Sequence, residues 1–72
     1  MKNISITISG QSGTGKSRIA LLVSDLLREH GFTVDLAETD TVETALRSNL
    51  ETAIEHIREN AVISINEVQL PR

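Results

Sequence analysis

The chain has 72 residues, a formal charge of −3 from seven basic and ten acidic side chains, no Cys, Trp or Tyr, and a single Phe, Phe32. This length supports one domain, and so short a chain buries only about 60% of its unfolded surface, so stabilisation by a ligand or a partner subunit is expected. Scattered basic residues and scant aromatic surface exclude a nucleic-acid footprint, and the lack of cysteine excludes disulfides, thiolate metal sites and a cysteine nucleophile.

The N-terminal run NISITIS, residues 3–9, alternates Ile4, Ile6 and Ile8 with Ser5, Thr7 and Ser9, which predicts a strand. The same Ser and Thr residues break any signal-peptide core, and no apolar run reaches the ~18 residues of a membrane span. A cytoplasmic protein that binds neither nucleic acid nor membrane is the expectation.

From Lys16 to His30, Ile19, Leu22, Val23, Leu26 and Leu27 recur at helical period, with Gly31 where a left-handed C-cap belongs. FTVDLA, residues 32–37, alternates again and predicts a second strand. Asp40 and Glu43 have capping-box spacing, and Leu46, Leu50, Ala53, Ile54 and Ile57 predict a second helix over residues 41–60. AVISINEVQL, residues 61–70, predicts a third strand as far as Asn66, with Pro71 ending any further ladder.

Residues 1–72 thus read as a single α/β domain, a minimal β-α-β-α-β unit with a three-stranded parallel sheet and two helices. Alternation in all three strands favours order 1-2-3, with one sheet face covered. An exposed sheet edge makes a homodimer an expectation.

Gly10-Gln11-Ser12-Gly13-Thr14-Gly15-Lys16-Ser17 matches G-x-x-x-x-G-K-[ST] without a mismatch, between a predicted strand and a predicted helix. Glycines let the backbone wrap a phosphate so that successive N–H groups point inward, while the positive end of the next helix faces the anion. Lys16 suits a clamp on the β- and γ-phosphates, and the Ser17 hydroxyl suits Mg²⁺. A Gly/Ser-rich turn that merely caps a helix would not need the lysine.

These residues resemble the P-loop nucleoside-triphosphatase superfamily, and ISGQSGTGKSRIALLVSDLLREHGFTVDL looks most like the openings of its small-molecule kinases. The resemblance implies ATP or GTP with Mg²⁺ as ligand, residues 10–17 as the nucleotide-binding loop, and strand order 2-3-1, which is preferred over 1-2-3. It also implies an aspartate at the end of an adjacent strand, where this chain has Asn66 followed by Glu67. Asn66 supplies no charge. Glu67 is the candidate catalytic carboxylate beside Lys16, as an acceptor for a Mg²⁺-bound water or as a general base.

Glu38 and Asp40 leave the second predicted strand where an acceptor substrate would sit, although Asp40 has a competing role as N-cap. Arg18 reads as a solvated charge pointing away from the apolar stripe. His30 and His56 do not form a metal pair, and Arg47 and Arg58 have helical-range glutamates as partners. Two functions follow. One is a minimal nucleotide-binding enzyme with slow triphosphatase or kinase-like phosphoryl transfer. The other is a non-enzymatic, nucleotide-gated interaction protein of the kind small phages encode, acting through an unidentified protein partner.

Overall fold

In the computed structural model, which describes residues 2–11, 15–37 and 40–71, three helices follow in order: α1 (Lys16–Glu29), α2 (Asp40–Arg47) and α3 (Leu50–Asn60). Helix α1 contains no Gly or Pro and begins when the Gly15 carbonyl accepts the Ile19 N–H at 3.0 Å. It ends as its sequence requires. Gly31 takes φ 87°, the Phe32 N–H reaches Leu27 O at 3.1 Å and the Gly31 N–H reaches Arg28 O at 3.0 Å, the paired bonds of a Schellman cap.

The expected α/β architecture is not what forms. Among the described residues there is no strand: 3–9, 32–37 and 61–70 are irregular, so the three-stranded parallel sheet exists in neither order 2-3-1 nor order 1-2-3. Period-two alternation is a local signal, whereas a parallel strand needs distant partners for its ladder and cover for its faces. Neither is provided here. Ile4, Val62 and Ile65 are 91%, 94% and 93% exposed, and of the other alternating apolar residues Ile8, Val34 and Leu36 are no more than half-buried.

The helices pack on one another instead, with α1 touching both α2 and α3. This rotates the buried side of α1 away from the predicted stripe. Leu21 is fully buried and Ser24 nearly so, with its hydroxyl donating to Leu21 O at 2.9 Å, while Leu22 and Leu26 of the expected stripe face solvent. From α3, Ile57 completes the small core. The accessible surface is 6795 Å², against about 4,400 Å² for a compact monomer of this mass.

The single helix expected over 41–60 is split in two. Asn49 adopts φ 56°, a left-handed conformation that ends α2 and starts α3. The bend lets two short helices share one face of α1, which a straight helix could touch only along a single line. Asp40 does begin α2, but its side chain lies outside the described residues, as do Glu38 and Thr39. Asn49 makes no side-chain capping bond, so its contribution is conformational. Asn49→Gly should therefore leave the thermal midpoint unchanged or slightly raised, while Asn49→Ala should cost about 1 kcal/mol in thermal unfolding followed by circular dichroism.

A charged clamp fixes α2 against α1. Arg47 donates to both oxygens of Asp25, at 2.9 and 2.8 Å, and to Glu43 at 3.3 Å; Arg28 lies 3.6 Å from Glu43 and donates to Val34 O at 3.2 Å. Glu43 is the helical-range partner that the spacing predicts for Arg47, whereas Asp25, 22 residues away, is a tertiary partner. Hydrogen bonds from Arg47 hold the Asp25 carboxyl below its ordinary value of 3.8, against the opposing effect of burial. A carboxyl with a lowered native pKa contributes stability that is complete above the unfolded value and lost as pH falls through the native one. The parent should thus lose stability as acid titrations pass below 3.8. Arg47→Met should be less stable at neutral pH and should lack that part of the acid dependence.

Candidate functional site

The phosphate-loop motif enters α1 through Gly15, which takes φ 89°. A Cβ there would lie 2.7 Å from Ile57 Cγ1 and would also collide with Ile57 Cδ1, so this glycine is required both by its backbone conformation and by the approach of α3. Lys16 is the first helical residue. Its ammonium turns back and donates to Gly10 O at 2.9 Å and Gln11 O at 2.8 Å, so that the loop closes on its own lysine. Ser17 sits half-buried in the first turn.

Electrostatics at this end of α1 are one-sided. The first N–H groups of a helix lack intrahelical partners and carry the positive end of its dipole. Here the N-cap is Gly15, which has no side chain to cap them, and the first turn contains no acidic residue. Among the described residues Lys16 makes no ion pair with a carboxylate, so its charge and that of the helix end form an arrangement suited to an incoming polyanion.

Of the predicted binding residues, the structure brings Gly10, Gln11 and Lys16 together by hydrogen bonds and places Gly15 and Ser17 at the helix start. Ser12, Gly13 and Thr14 lie outside the described residues. Glu67 is in the exposed segment after α3, beside Asn66, and has no ion pair or hydrogen bond among the described residues. The described residues hold no group of three or more His, Cys, Asp or Glu side chains able to bind a metal, and no helix among them is long and apolar enough to cross a membrane.

Arg18 departs from the sequence reading. Instead of pointing into solvent it is half-buried against α3, and its Nε is shielded from water without a hydrogen-bond partner. It lines a cavity of about 340 Å³ with Gly15, Ala53, His56, Ile57 and Asn60. The spacing that would have located it is the three-residue step from Arg18 to Leu21, which puts both on one helix face; the predicted stripe through Leu22 pointed elsewhere.

Comparison with known proteins supplies a family. The family model for adenylylsulphate kinase matches residues 2–70. A probable adenylyl-sulfate kinase of Pyrococcus abyssi (strain GE5 / Orsay) is 36% identical over 50 residues, which covers 69% of this chain and 29% of that relative. The chain therefore matches less than a third of the relative's length. No solved structure matches the chain. With the family match running across nearly every residue and taking in the whole of Gly10–Ser17, the chain belongs to the adenylylsulphate kinase family.

Proposed function

We propose that the chain binds ATP through residues 10–17 and serves kinase-like phosphoryl transfer to a hydroxyl of adenylyl sulfate. The observation that carries this reading is the match of residues 2–70 to the adenylylsulphate kinase family, with an unbroken G-x-x-x-x-G-K-S loop inside it. That family also selects ATP from the two nucleotides the motif alone left open, and GTP is set aside.

In this reading the backbone N–H groups of Gly10, Gln11, Ser12, Gly13, Thr14 and Gly15 surround the β- and γ-phosphates. Lys16 exchanges the carbonyls of Gly10 and Gln11 for phosphate oxygens, trading two neutral acceptors for charged ones. Ser17 offers one hard oxygen to Mg²⁺, in keeping with a cation usually held by one or two protein ligands together with substrate phosphates and waters. The metal would neutralise charge on the transferred group. Glu67 would receive the acceptor hydroxyl's proton as the γ-phosphoryl passes to that oxygen and ADP departs. For this the segment after α3 must fold toward the loop.

A second reading is supported by Asn66, which stands where a carboxylate is expected, and by the exposed apolar residues Val62, Ile65 and Val68. In it, nucleotide binding orders a surface for a protein partner, another copy of the chain among the candidates, and no transfer occurs. Calorimetric titration with Mg-ATP, followed by transfer of label from γ-labelled ATP to adenylyl sulfate, separates the two. Binding with transfer supports the kinase, binding without transfer supports the partner reading, and no binding overturns both.

A further inference from the structure

We propose that the chain forms a symmetric dimer by exchange, in which residues 61–70 of each copy lie along the outer apolar face of the other copy's α1. The proposal stands independently of the nucleotide reading; where both hold, the phosphate loop that Glu67 approaches is the second copy's. It rests on two uncovered apolar surfaces in one chain, on their lack of charge, and on the area left exposed.

The first surface is on α1. At about 3.6 residues per turn, Ile19, Leu22, Val23 and Leu26 lie on the side of the helix away from Leu21 and Ser24, which are buried where α1 packs. Leu22 and Leu26 are 43% and 54% exposed, Ile19 and Val23 are no more than half-buried, and Phe32, just past the helix cap, is exposed as well. The second surface is the segment after α3. Every residue from 61 to 71 is exposed, the apolar Val62, Ile63, Ile65, Val68 and Leu70 among them. Ala61 leaves α3 in an extended conformation, φ −136° and ψ 149°, so the segment departs as an arm. At about 3.3 Å per residue, residues 62–65 span roughly 10 Å, the same length that Ile19 to Leu26 covers at about 1.5 Å per residue.

Neither surface carries charge that burial would strand. From Ile19 to Leu26 only Asp25 is ionised, and Arg47 holds it toward α2; within residues 61–70 only Glu67 is ionised, beyond the stretch from Ile63 to Ile65. The area is also sufficient. The accessible surface of 6795 Å² exceeds that of a compact monomer by about 2,400 Å². A standard interface takes about 800 Å² from each partner, so the surplus covers a stable dimer.

A second copy is the occupant that both surfaces specify, because each chain carries one arm and one face to receive it. A two-fold axis satisfies both at once and closes the assembly, whereas an unrelated partner would cover one surface and leave the other.

The test uses the full chain, with mass followed by sedimentation equilibrium from about 5 to about 500 μM. A species of twice the 7.9 kDa chain mass is expected. Ile65→Glu and Leu26→Lys, both at exposed positions, should each weaken association about tenfold or more and leave the helical circular dichroism unchanged. Should Leu26→Lys fail to fold, Leu22→Lys, one turn earlier, takes its place. Mixed in equal amounts, the arm variant and the helix variant should associate again. One of the two seats then has parent residues on both sides, and the other brings opposite charges together. Restored association on mixing supports the exchange. A chain that stays monomeric throughout overturns it, whether the arm is free or folded onto its own α1. A dimer weakened by neither variant also overturns it, as does one weakened by Ile65→Glu alone, the sign of arm pairing with arm.

Discussion

Lys16→Ala should weaken Mg-ATP binding by about 10- to 100-fold while leaving the helical circular dichroism spectrum intact. The affinity estimate follows from a charge-assisted hydrogen bond to phosphate, about 1.5–3 kcal/mol, at about 1.4 kcal/mol per decade. The intact fold follows from what Lys16 donates to among the described residues, the carbonyls of Gly10 and Gln11. Both carbonyls belong to an exposed segment where water can replace the ammonium. Calorimetry gives the affinity, and unfolding in urea checks that the midpoint moves little. Affinity unchanged from the parent would show that the loop does not hold the triphosphate.

Gly15→Ala should have the opposite profile, with a direct loss of stability. A left-handed alanine costs about 1–2 kcal/mol, and forcing a methyl into a packed contact costs about 1–3 kcal/mol more. The contact is with Ile57, which is 8% exposed and so has little room to retreat. For a chain of this size the combined loss should lower the thermal midpoint by at least about 10 °C. A double-mutant cycle divides the two causes. With Ile57→Ala as background the methyl has space, so the further cost of Gly15→Ala should shrink to the backbone part alone. If the cost is the same in both backgrounds, α3 does not approach the loop as the structure places it.

Much of the local structure was legible in the sequence. The extent of α1 and its left-handed cap at Gly31 follow from helix propensity and from the one residue type that enters that conformation without strain. The break at Asn49 was hidden because the apolar spacing from Leu46 through Leu50 to Ile54 runs through it at unbroken helical period. Asparagine tolerates the left-handed region, but nothing in its neighbours announces that it will use it. Likewise, Arg47 has a readable partner at Glu43 and an unreadable one at Asp25, since only the packing of α2 on α1 brings that carboxylate within 2.8 Å.

The candidate site divides along the same line. The chain by itself determined the phosphate-loop motif, the lysine that closes it, the bare positive start of α1 and the family, because each is written in consecutive residues or in local backbone geometry. Only the tertiary structure decided that Ile4, Ile6 and Ile65 face solvent rather than forming a sheet, that Leu21 and not Leu22 is the buried leucine of α1, and that Arg18 meets His56 and Asn60 across a cavity. Alternation and amphipathicity state which residues can be buried together. Which of them are depends on the partners that long-range packing brings to each face, and a periodic pattern does not name those partners.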